Sequence, residues 1–207
     1  MPLQNRVDPF GLIHATSERG LFTGNRGIIH DPGTRTLKSR RWTTKAWIIC
    51  TLEHPRGTRR IPMGRNGRGG GAGWTELFFL DEVTALAAGH RPCFYCRREA
   101  ALSYQHSLGA KNEPLPSAPA MDVRLHRERL SEKPLIGRAE IAALPAGSMI
   151  AVDNRPFAVT NEKALAWSFG GYGKPQDLPE SGHLLTPLTT ISALRNGYRA
   201  VWHPTAG

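Results

Sequence analysis

The chain has 207 residues, 40% hydrophobic and 21% charged, a balance that supports a folded core and excludes an extended disordered polymer. Its 27 lysines and arginines outnumber 17 acids for a net charge of +10, and no run of about eighteen apolar residues is present to span a membrane. Three cysteines are an odd number, poor for a secreted disulfide framework. Together with an amino terminus that lacks an apolar signal core, they predict a reducing, cytoplasmic setting.

In chain order, residues 1 to about 45 look irregular, with loop signals at Thr23-Gly24-Asn25-Arg26-Gly27 and Asp31-Pro32-Gly33. Residues 19–68 carry twelve cations, ten of them arginine, against Asp31 and Glu53, so the whole net charge lies in this stretch. Guanidinium forks match phosphate oxygens, and counterion release favours a polyanion. The expected partner is DNA or RNA, and no membrane. The expected contacts are Arg26, Arg40, Arg41, Lys45, Arg59, Arg60, Arg65, Arg68, Arg97 and Arg98, with Trp42 placed to stack on a base. The plainer reading is a solvated basic surface.

Ala46 to Leu52 reads as a buried strand, and Thr58 to Pro62 as its returning partner. Residues 64–73 hold six glycines and form a loop. Trp74 to Leu80 predicts another strand. Asp81 then caps a helix over Glu82 to Ala88 that Gly89 closes. Helical spacing at Ala101, Tyr104 and Leu108 follows the second and third cysteines, with Gly109 as the stop. Residues 113–120 hold three prolines and read as a linker between a basic domain over 1–112 and a region over 121–207 of unknown role. In that second region Met121 to Leu130 looks helical, Asp153-Asn154 turns a hairpin over Ser148 to Val159, and Thr186-Pro187 opens a short helix ended by Asn196-Gly197. The aromatic, glycine-rich stretch Trp167 to Gly173 lines a groove or closes a loop over a core. The expected class is α+β: a small zinc-knuckle domain of short antiparallel strands and helices, then a mixed α+β part.

The strongest constellation is Cys50-x3-His54 with Cys93-x2-Cys96. Zinc takes four soft or borderline ligands in a tetrahedron, and pairs two to four residues apart let one turn supply two of them. A Cys-x-x-Cys at the start of a helix also gains from the helix amino terminus, which favours thiolates. His54 is the expected fourth ligand, with His90 as the alternative. A redox pair would leave Cys50 unexplained.

Residues 47–98 resemble the zinc-binding amino-terminal domain of the Ada-type alkylation-response proteins. The resemblance rests on Cys50-Thr51-Leu52-Glu53-His54-Pro55, on Glu76-Leu77-Phe78-Phe79, and on Ala87-Ala88-Gly89-His90-Arg91-Pro92-Cys93-Phe94-Tyr95-Cys96-Arg97. It implies a zinc domain that grips the DNA backbone, with a part in DNA repair or regulation. It also implies that Cys50 holds the position of the zinc-bound thiolate that accepts a methyl group from a methylated phosphate. His54 stands where the family has a cysteine, which lowers the thiolate count and weakens the nucleophile. Nothing downstream matches the rest of that family. A structural zinc is therefore expected over methyl transfer.

A rival enzyme reading places a metal-dependent nuclease at His30 and Asp31, with the histidine activating water. Its plain counterpart is a turn: His30 capping it and Asp31 opening Asp-Pro-Gly.

Overall fold

The computed structural model describes residues 1–53, 57, 61–67, 69–110 and 113–207. The class is α+β. Strands β1 (Gln4–Val7), β2 (Ile13–Ala15), β3 (Phe22–Asn25), β6 (Ile48–Thr51), β7 (Leu77–Phe79) and β8 (Arg91–Pro92) form one mixed sheet in the order β2-β1-β7-β3-β6-β8. Strands β4 (His30–Asp31) and β5 (Thr36–Leu37) make a small separate hairpin.

The expectation that residues 1–45 are irregular is therefore corrected. β3 lies in the middle of the first sheet, between β6 and β7. Its sequence, Phe-Thr-Gly-Asn, reads as a turn because packing and not propensity selects it. A side chain at Gly24 would place its Cβ 2.1 Å from the Ile48 carbonyl oxygen, so the close pairing with β6 requires glycine. The buried Thr23 hydroxyl donates to the Leu77 carbonyl at 2.8 Å. Of the expected return strand at Thr58 to Pro62, residues 58–60 lie outside the described residues, and Ile61 and Pro62 are not in a strand.

The second sheet is antiparallel throughout, in the order β13 (Gly171–Gln176), β12 (Ala164–Ser168), β11 (Arg155–Val159), β10 (Met149–Val152), β14 (Ser181–Leu184), β9 (Leu135–Gly137). The β10–β11 hairpin turns at Asp153 and Asn154, both with positive φ (48° and 59°), the geometry of a two-residue turn matched to strand twist.

Helices α2 (Arg98–Ser107), α3 (Ala118–Leu130), α4 (Arg138–Ala142) and α5 (Leu188–Arg195) complete the fold with α1 (Glu82–Ala87). All six residues of α1 are buried. Ala85 and Leu86 enter a core with Val7, Ile49, Phe79, Tyr104, Met121 and Leu194. Val83 and Ala87 enter another with Met149, Ala158, Leu165 and Leu185 of the second sheet. Residues on both sides of 113–120 thus share two cores. Within the segment read as a linker, the Ser117 hydroxyl accepts from the Ala120 amide and caps α3.

Candidate metal centre

Strand pairing assembles the site. β6 runs parallel to β8, with Ile48 opposite Arg91 and Ile49 opposite Pro92. The Cys93 amide continues this ladder by donating to the Ile49 carbonyl at 3.0 Å. Cys50, the next residue on β6, is thereby held beside Cys93. The chain then folds back in a turn: the Tyr95 amide donates to Cys93 Sγ at 3.4 Å, and the Arg97 amide to the Cys93 carbonyl at 3.0 Å. Cys96 Sγ takes a hydrogen bond from the Thr51 backbone. Helix α2 begins immediately after, at Arg98.

As a result the three Sγ atoms of Cys50, Cys93 and Cys96 lie within 4.8 Å of one another. Two thiolates on a tetrahedral zinc, each about 2.3 Å from the ion, are about 3.8 Å apart, so the cluster can hold such an ion. Cys50 and Cys93 are buried and Cys96 sits at the rim. The three thiols shift one another's pKa. Hydrogen bonds from Cys50 and then Cys96 hold the Cys93 thiol far below its ordinary value, while the bonds to Cys93 and Cys96, with burial, push Cys50 far above. A bound divalent cation would let all three ionise together.

No protein-family model, curated protein or solved structure matches this chain.

Among the described residues, these three cysteines form the one group of three or more histidine, cysteine or acidic side chains close enough for a metal. His54, the expected fourth ligand, lies outside the described residues. His90, the alternative, is corrected: it is fully buried away from the sulfurs, between the rings of Trp47 (5.1 Å) and Phe79 (4.7 Å). Its Nε2 accepts from Arg26 Nε at 3.2 Å. Burial, then the nearby charges of Arg26 and Arg129, hold its pKa well below the ordinary histidine value.

The nuclease pair does not form a site. His30 is buried, with Nδ1 on the Thr75 hydroxyl at 2.7 Å and Nε2 on the Gly64 carbonyl at 3.1 Å, so both ring nitrogens are taken. Asp31 is the next residue on the strand and points the other way, to solvent. Its carboxylate accepts from the Gly33 and Thr34 amides and the Thr34 hydroxyl. These bonds, those of Thr34 first, hold its pKa below the ordinary aspartate value and make it the residue that forms the turn.

The expected phosphate contacts divide. Arg26 is buried, its guanidinium over the Trp47 ring at 3.8 Å and its Nη1 on the Gly11 carbonyl at 2.8 Å. Arg97 is tied to Glu82 through both terminal nitrogens, at 2.6 and 3.0 Å, with Phe22 beneath it. Both are corrected: these are structural cations, out of reach of a phosphate. Arg40, Arg41, Lys45, Arg65 and Arg98 are exposed. Trp42 is 38% exposed, its ring edge-on to His126. Arg59, Arg60 and Arg68 lie outside the described residues.

A buried polar hub lies at the start of α1, with little trace in the sequence. Asp81 accepts from the Thr84 amide and hydroxyl, the Tyr172 hydroxyl and the His203 amide. Glu82 accepts from Arg97, the Tyr198 hydroxyl and the Val201 amide. Trp167 Nε1 donates to the Thr84 hydroxyl at 2.9 Å, so the aromatic stretch at 167–173 closes over a core instead of lining a groove. The one visible signal was an acidic pair at a helix start, which a cap alone explains.

Proposed function

We propose that this is a zinc-stabilised nucleic-acid-binding protein in which the metal is structural and an exposed basic surface grips phosphates. The observation that carries the reading is the convergence of three sulfurs at a strand–turn–helix junction, with backbone amides directed at the sulfurs. A structural role suits the burial of Cys50: a methylated phosphate would have to reach a sulfur set below the surface, on a strand paired on both sides. The polyanion reading is supported by Arg40, Arg41, Lys45 and Arg65, which are exposed and, among the described residues, in no ion pair.

Two measurements test this in sequence. Elemental analysis of protein purified without added metal should find one zinc per chain in the wild type and none in Cys93→Ser. A folded wild type without zinc removes the reading. Labelled duplex DNA and single-stranded RNA should then bind with a steep salt dependence. Arg40→Ala with Arg41→Ala should reduce the slope of log K against log salt by about 1.4–1.8, since each phosphate contact contributes about 0.7–0.9. An unchanged slope and affinity would leave a zinc protein with a merely solvated basic face.

A further inference from the structure

The half of the chain without a readable motif contains a cleft of about 450 Å³, beside a second hollow of about 300 Å³. Ala146, Asn161 and Trp202 line both. Arg195, Tyr198 and Arg199 line the larger. We propose that this cleft is a binding site for a nucleoside monophosphate.

Four properties carry the assignment. First, the polar groups are free: among the described residues, Arg195 and Arg199 make no ion pair, and neither they nor Asn161 makes a side-chain hydrogen bond. Arg195 also offsets the carbonyl end of α5, which accounts for one arginine but not for Arg199 or the open amide. Glu162, the acid beside Asn161 in the chain, acts on Lys163.

Second, the wall is rigid. The Tyr198 hydroxyl donates to Glu82 at 2.5 Å, the Val201 amide to Glu82 at 3.0 Å and the His203 amide to Asp81 at 3.0 Å. Trp202 packs on Tyr172 with ring centroids 5.6 Å apart. An aromatic wall held this way binds without first paying to order itself, which leaves only Arg195, Arg199 and Asn161 to be fixed by the ligand.

Third, the groups differ in kind. Two guanidiniums suit a phosphate, an indole suits a flat ring, and an amide offers both a donor and an acceptor to a base edge. Inorganic phosphate would leave Trp202 unused, and an apolar ring would leave two cations unused. Fourth, the volume lies within the range of small-molecule sites.

The site uses neither the cysteines nor residues 19–68, so it stands apart from the polyanion reading. The same chemistry is offered by a free nucleotide and by the phosphorylated end of a strand.

Calorimetric titration of the full chain tests it. The probes are AMP, CMP, GMP and UMP singly, adenosine, inorganic phosphate, and a trinucleotide with and without a 5′-phosphate. At least one monophosphate should bind saturably, about tenfold or more tighter than inorganic phosphate or adenosine. Arg195→Gln with Arg199→Gln should weaken it about tenfold or more, whereas Arg40→Ala with Arg41→Ala should leave it unchanged. Trp202→Phe, which keeps a ring against Tyr172, should weaken it less. Preference for the 5′-phosphorylated trinucleotide over every monophosphate assigns the site to strand ends and supports it equally. The proposal is overturned if no probe bearing both a base and a phosphate binds saturably, if binding survives the Arg195/Arg199 pair, or if inorganic phosphate binds as tightly as the best nucleotide.

Discussion

Arg26 and Arg40 lie in the same basic stretch and are the same residue type, yet one is buried against Trp47 and the other is in water. Composition reports the net charge but not which side chains an aromatic ring and a carbonyl have claimed. The cysteines were more legible because a metal's ligand spacing is a local constraint, and Cys93 and Cys96 sit on one turn. His90 was misread for the opposite reason: three residues from Cys93 is near in sequence, but its ring turns into the core. That burial has a pH consequence. The folded protein keeps His90 neutral, while the unfolded chain protonates it below about pH 6.5. Below that pH the unfolded state binds the extra proton, so stability falls as pH falls, by up to about 1.4 kcal/mol per pH unit for one group. His90→Gln should be less stable at pH 7.5, yet lose less between pH 6.5 and 5. Urea unfolding of both proteins at each pH, with zinc content monitored, checks this. Parallel pH profiles would remove His90 as the titrating group.

Elements whose signal is local were legible: the Asp153-Asn154 hairpin, the Asp81 cap with Gly89 beyond, and the close of α5 at Gly197, where φ is +102°. Elements made by pairing with distant strands were not. β1 and β3 are four residues each, with three polar residues in β1 and two in β3, and become strands because β7 and β6 present ladders to them. α1 is the element on which both sheets depend, and at its first turn a buried carboxylate is matched by a buried guanidinium. Glu82→Gln should leave Arg97 buried without a counter-charge, at a cost of about 3–5 kcal/mol. Glu82→Ala with Arg97→Met removes both charges and should recover part of the loss. The midpoint of urea unfolding reads the effect. A loss below about 1 kcal/mol in the single variant would mean that the ion pair is not holding α1 to α2.

At the scale of the whole chain, the proline-rich segment looks like a boundary because proline and small residues are what linkers and helix starts have in common. Ser117 caps a helix there and Pro119 sits in its first turn, a position that needs no amide donor. What decides the architecture is where the apolar side chains go. Met121, Ala193, Leu194 and Tyr198 complete the core around Ile49 and Phe79, and Val83 and Ala87 are buried by the second sheet. A fragment ending at residue 112 would expose both surfaces, each fully buried Leu, Met or Val contributing about 1.5–3 kcal/mol against a total stability of about 5–15 kcal/mol. Such a fragment should lack near-ultraviolet circular dichroism and cooperative unfolding even with zinc present. Co-expression with residues 113–207 should restore both signals. If the fragment alone unfolds cooperatively with one zinc bound, the amino-terminal sheet is self-sufficient and the shared cores are a docked interface between two domains.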